Sequence, residues 1–214
     1  MIEISTPTAS EDFSRANNHI TKRKDKHPMS QEITYGSLGY MAQQGQSIAE
    51  SFLSVDAILL LDISASMQAT DCPNGQERYT VACDEMRRLQ RQLPGKLAVI
   101  EWATGHAFVP GGVPSPPEGY STCMDGVLQF VKVADGTGIK IILISDGEPD
   151  SEDDTLNVAR TFTSKIDTIY IGPEGGRGAA FLRRLADATG GRAETKSPRE
   201  IVMLSQSVTR LLTT

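Results

Sequence analysis

Asp62-Ile63-Ser64-Ala65-Ser66 places one carboxylate and two hydroxyls at alternate positions, directly after the apolar run Ala57-Ile58-Leu59-Leu60-Leu61. Hard oxygen donors at this spacing suit a hard divalent cation such as Mg²⁺. Two more oxygen donors come from distant stretches. Thr122 stands at the opening of an amphipathic run, and Asp146 follows Ile141-Ile142-Leu143-Ile144-Ser145. Such a set can hold a cation while leaving coordination positions to water or to a ligand.

The elements that must bring these residues together can be read from the hydrophobic pattern. Continuous apolar runs at 57–61 and 141–144 suit parallel strands buried on both faces, and ligands of open α/β sheets bind at the C-terminal ends of such strands. Leu97 to Trp102 and Thr168 to Ile171 read as further strands. His106 to Val109 reads as an antiparallel one, because the three residues before it allow only a hairpin. Helical spacing appears in Tyr79, Cys83, Met86, Leu89 and Leu93, in Met124, Val127, Leu128 and Val131, in Leu156, Ala159 and Phe162, and in Phe181, Leu182, Leu185 and Ala188. A last helix carries Ile201, Leu204, Val208 and Leu211 behind the start signal Ser197-Pro198-Arg199-Glu200. Alternating strands and helices predict a doubly wound, parallel-dominated sheet covered on both faces. The two most apolar strands belong side by side at its centre, which puts Asp62 and Asp146 at a switch point.

Composition narrows the function. The 214 residues are 39% hydrophobic, 22% charged and 6% aromatic, with a formal net charge of -6. That acidity argues against a nucleic-acid surface. No apolar run approaches the ~20 residues of a membrane span, and the start Met1 to Thr6 has neither the basic nor the apolar part of a secretion signal. The expectation is a cytoplasmic protein. Cys72, Cys83 and Cys123 show no CxxC spacing, so neither a disulfide framework nor a zinc site is indicated. Residues 1–50 are polar and nearly neutral, with five basic against six acidic residues. They read as an N-terminal extension, partly flexible or ordered by a partner, with a short helix near 45–54, and the domain proper as residues 51–214.

The motifs Asp62-Ile-Ser64-Ala-Ser66-Met, Ser121-Thr122-Cys-Met-Asp-Gly-Val-Leu and Ile-Leu-Ile-Ser-Asp146-Gly-Glu-Pro resemble the von Willebrand factor A (VWA) domain family. All five positions of that family's metal-ion-dependent adhesion site (MIDAS) are matched, by Asp62, Ser64, Ser66, Thr122 and Asp146. Phe181 to Arg192 looks like the family's penultimate helix and turn. The resemblance covers about Val55 to Leu212, roughly three-quarters of the chain. It implies a Rossmann-like six-stranded sheet of order 3-2-1-4-5-6 with one antiparallel edge strand. It also implies a Mg²⁺ (or Mn²⁺ or Ca²⁺) held by Ser64, Ser66 and Thr122 directly, with Asp62 and Asp146 acting partly through water. Stand-alone domains of this kind also work with separate AAA+ ATPases.

Each residue has a plainer reading as well. Thr122 can serve as a helix cap with Asp125 at N3, Asp146-Gly147 as a turn, and Ser64 or Ser66 as partners for loop backbone groups. The acidic stretch 146–154 reads mainly as charge at a helix start. Gly172 to Gly178 matches neither a P-loop nor a dinucleotide fingerprint and reads as a flexible loop. Taken together, the pattern predicts a metal-dependent protein-interaction module that grips a partner's Asp or Glu, as adaptor or assembly subunit. A scaffold contacting partners through its N-terminal extension is the alternative. A metal-dependent hydrolase is disfavoured, because no GxSxG and no paired His accompany the donors.

Overall fold

The computed structural model of the protein describes residues 32–213. Its sheet contains β1 (Ala57–Asp62), β2 (Leu97–Trp102), β3 (His106–Phe108), β4 (Lys140–Ser145), β5 (Ile166–Ile171) and β6 (Ala193–Lys196). The strand order is β3-β2-β1-β4-β5-β6. Every pair is parallel except β2 with β3, which form the expected hairpin. This is the doubly wound order that the VWA resemblance implies. The two apolar strands lie side by side, with Leu61 opposite Ile144, so Asp62 and Ser145 end the central pair together.

Seven α-helices are described: α1 (Leu38–Gln43), α2 (Ile48–Leu53), α3 (Arg78–Gln92), α4 (Met124–Val131), α5 (Glu152–Ala159), α6 (Arg177–Thr189) and α7 (Leu204–Thr213). They divide between the two faces because strand side chains alternate. Leu59 and Leu61 pack with Val81, Met86 and Leu89 of α3 and with Val208 and Leu211 of α7. Ile58 and Leu60 pack with Val127 and Leu128 of α4, Leu156 of α5, and Phe181 and Leu185 of α6. Each such fully buried Leu, Ile or Phe contributes about 1.5–3 kcal/mol of transfer free energy, which makes the central strands a stiff platform. Among the described residues, no helix is long and apolar enough to cross a membrane.

Several expected boundaries shift for physical reasons. The helix expected near 45–54 is α2, capped by Ser47. The start signal at Ser197 holds, with the Glu200 carboxylate accepting from Ser197 N–H at 3.0 Å and from its hydroxyl at 2.7 Å. The turn that follows, Pro198–Met203, is a 3₁₀ helix before α7 begins. β6 is the strand that the residue pattern did not show. Its sequence Ala193-Glu194-Thr195-Lys196 lies on an edge, half of it exposed, and carries no apolar alternation.

Of the extension expected over residues 1–50, the part up to Gln31 lies outside the described residues. The described part packs against the domain. Leu38 is 1% exposed within the main core, and three backbone hydrogen bonds tie its neighbours down: Thr34 N–H to Gly111 O, Gly39 N–H to Pro110 O, and Gly95 N–H to Gly36 O. Gly36 is required there. Its φ is +82°, and a Cβ would sit 2.0 Å from the Gln90 carbonyl oxygen.

Candidate metal site

The β1 chain leaves the sheet through a short, doubly anchored turn. Ile63 continues the ladder by donating to the Trp102 carbonyl at 2.9 Å. Ser64 then turns, its N–H donating to Asp62 Oδ1 at 2.7 Å, the aspartate-backbone turn that this residue type favours. Residues Ala65–Gln68 form one 3₁₀ turn. Met67 from that turn is fully buried against α3. With Ile63 and Met67 buried, Ser64 and Ser66 have their hydroxyls 2.9 Å apart and line one cleft of about 370 Å³.

Thr122 and Asp146 line the same cleft, with Arg78, Tyr120, Glu148, Tyr170 and Pro173. Asp62 lies beneath it, fully buried. The five residues expected from the sequence are therefore brought together, four on the cleft wall and one under its floor. Thr122 is not the helix cap. The N-cap position of α4 belongs to Cys123 and has no side-chain cap bond. The loop is held instead by Asp150, whose Oδ1 accepts from Thr122 N–H at 2.9 Å and whose N–H donates to Thr122 O at 3.1 Å. That leaves the Thr122 hydroxyl to the cleft.

Ser145 links the two central strands. Its hydroxyl donates to Asp62 Oδ2 at 2.6 Å and accepts from Gly147 N–H at 2.8 Å. Gly147 itself has φ +78°. The next contact comes from α6: a Cβ on Gly178 would lie 1.9 Å from the Asp146 carbonyl oxygen. The loop 172–178 is thus built into the site. Tyr170 Oη donates to Pro173 O at 3.2 Å, and it approaches Gly176 so closely that a Cβ there would lie 2.1 Å away.

The electrostatics are unbalanced. Burial, and then the charge of Asp146, push the Asp62 carboxyl up to about 6, against the hydrogen bonds from Ser145 and Ser64. Burial also raises Asp146, opposed by the Ser66 hydroxyl and the Arg78 guanidinium. Two carboxylates under strain of this kind, beside three hydroxyls that converge on one cleft, fit a hard divalent cation in both charge and donor type. Among the described residues no three His, Cys, Asp or Glu side chains converge, in this cleft or outside it, so the candidate donor set rests on hydroxyls as much as on carboxylates.

Arg78 is the site residue that sequence reasoning missed. Its guanidinium forks onto Asp71, with Nε to Oδ1 at 2.9 Å and Nη2 to Oδ2 at 2.5 Å. Its Nη1 lies 3.6 Å from Asp146 Oδ2. One signal was present: Arg78 is the first residue of α3, where the helix dipole disfavours a cation. A local conflict of this kind marks a residue placed for some other purpose. The cysteines are less informative. All three are free, and burial raises the thiols of Cys72 and Cys123.

Many solved structures share this fold, and two of them illustrate the likeness. BatB from Bacteroides thetaiotaomicron, a conserved hypothetical protein, superposes with a TM-score of 0.57 at 17% identity, over 75% of this chain and 100% of its own. Proximal thread matrix protein 1 from the mussel byssus gives 0.55 at 18% identity, over 74% of this chain and 46% of that one. At such identities the likeness is one of fold. No family model matches the sequence, and no curated protein matches it closely.

Proposed function

We propose that the protein is a metal-dependent interaction module whose cleft captures a carboxylate of a protein partner, in the manner of an adaptor or assembly subunit. The observation that carries this reading is the convergence of the Ser64, Ser66 and Thr122 hydroxyls with Asp146 in one cleft above the buried Asp62. Ser64, Ser66, Thr122 and Asp146 would hold a divalent cation, Mg²⁺ or Mn²⁺, and Asp62 would support it from below. Bound there, the cation supplies an open, positively charged coordination position for an incoming Asp or Glu.

The residues themselves favour binding over turnover. Asp62 has both oxygens engaged, by Ser64 N–H and by Ser145, so it orients the turn and is not available as a base. Ser64 and Ser66 pair with each other, and no histidine lines the cleft to activate either. Tyr120 at the rim is wholly exposed, at 101%, which suits an aromatic contact at the centre of a protein interface.

Titration calorimetry with Mn²⁺, combined with water-proton relaxation of the bound ion, tests this. One saturable Mn²⁺ per chain is expected, with exchangeable waters that acetate displaces. Asp146→Ala and Ser64→Ala should abolish binding while the melting temperature in chelator stays close to that of the parent. Absence of saturable Mn²⁺ binding to the parent protein would sink the reading.

A further inference from the structure

We infer that Arg78 biases the cleft so that a divalent cation binds weakly alone and firmly only in company with an anionic ligand. The inference rests on the metal reading above and adds to it a residue that sets when the site fills.

Arg78 is 7% exposed and lines the same cleft as Ser64, Ser66, Thr122 and Asp146. Its backbone is fixed there, with its N–H donating to Ala69 O at 3.0 Å, at the end of the turn that carries Ser66. The separation of 3.6 Å between Nη1 and Asp146 Oδ2 is an ion-pair distance and too long for a good hydrogen bond. Arg78 therefore does not aim the Asp146 carboxylate and acts on it through charge. Its partner Asp71 has 37% of its side chain exposed, so water screens that countercharge more than it screens the buried guanidinium. The Arg78–Asp71 pair therefore leaves a partial positive charge facing a cleft that otherwise carries the carboxylates of Asp146 and Glu148.

A fixed positive charge has opposite effects on the two species that the cleft would hold. It opposes an arriving cation and attracts an arriving anion. Cation and anion attract each other in the shared cleft, so by linkage each improves the other's apparent affinity, while Arg78 lowers the starting affinity for the cation and raises that for the anion. The metal-binding donors and Arg78 form one device: the donors supply the attraction, and Arg78 withholds part of it until an anion arrives.

The opposite signs give the test. Mn²⁺ affinity is read by calorimetry on the full chain, and acetate affinity for the Mn²⁺-loaded protein is read by water-proton relaxation. Arg78→Gln should tighten Mn²⁺ by about three- to tenfold and weaken acetate by a similar factor, the scale expected for one partly screened charge at this range. Arg78→Lys should stay near the parent in both. Asp71→Asn, which removes the countercharge, should move both affinities the other way. Loss of Mn²⁺ and acetate affinity together in Arg78→Gln would make the residue structural and overturn the inference, as would no change in either. Should Arg78→Gln fail to fold, Asp71→Asn decides alone. A parent protein that binds no Mn²⁺ refutes the metal reading itself. A parent that binds Mn²⁺ with unshifted variants refutes only the role of Arg78.

Discussion

At the N-terminal edge of the sheet, in the loop before β4, Asp135 accepts from Lys132 Nζ at 2.7 Å, from Ser164 N–H at 2.7 Å, from Thr163 N–H at 3.0 Å and from the Thr163 hydroxyl at 3.0 Å. These partners, Lys132 foremost, hold its carboxyl well below the usual carboxylate range. At the C-terminal edge, Asp62 is pushed up to about 6 and Asp146 is raised as well. The residue type is the same and the sheet is the same, but the outcomes are opposite. A carboxylate supplied with donors for its charge becomes a staple between loops. One buried beside another carboxylate remains short of positive charge, and that shortage is what a cation would satisfy. The edge that is electrostatically comfortable holds the fold together. The uncomfortable edge is the one that the proposed cation would relieve.

Three substitutions would break or sharpen this contrast. The largest effect is expected from Gly178→Ala, which forces a methyl against the Asp146 carbonyl. It should cost about 2–3 kcal/mol by overpacking and abolish Mn²⁺ binding; urea denaturation with Mn²⁺ titration checks both. Unchanged binding would mean that α6 does not fix the Asp146 loop.

Next is Asp62→Asn, assayed in chelator. Removing a buried, strained charge should raise stability by roughly 1–2 kcal/mol while Mn²⁺ affinity is lost. A destabilised variant would show that the C-terminal edge is not frustrated after all.

The smallest effect is expected from Asp135→Asn, about 1 kcal/mol at neutral pH for a partly exposed set of charge-assisted hydrogen bonds. Here the pH dependence is diagnostic. The folded carboxyl titrates below its unfolded value of about 3.9, so its stabilisation is complete above that pH and disappears as pH falls through the folded value. The parent and the variant should therefore differ at pH 6 and converge toward pH 2 in denaturation midpoints. A gap that persists to low pH would assign the effect to shape instead of charge.

What could be read from the sequence follows the same physics. Residues 57–61 and 141–144 were visible because strands buried on both faces must be apolar throughout. Asp62, Ser64 and Ser66 were visible because one turn carries them in close spacing. Thr122 and Asp146 became visible through a family resemblance that ties distant stretches to one place. β6 was not visible, because an edge strand such as Ala193-Glu194-Thr195-Lys196 has no buried face to impose a pattern. α1 was hidden for another reason. Leu38 is its one deep apolar anchor, and the segment is otherwise held by backbone hydrogen bonds and by the Glu32–Arg87 ion pair, none of which leaves a hydrophobic period in the sequence. Tyr170 and Gly178 belong to the site only through packing between remote segments, and Arg78 had only its misfit with the helix dipole to announce it.

The α1 segment also has a consequence in time. Thr34, Gly36 and Gly39 find their hydrogen-bond partners at Gly95, Pro110 and Gly111, some 60–80 residues further along. A chain emerging from the ribosome therefore exposes Leu38 long before β2 and the loop after β3 exist to cover it. Such long-range closure comes late and slows folding. It leaves Leu38 uncovered during synthesis, a window for chaperones or for aggregation.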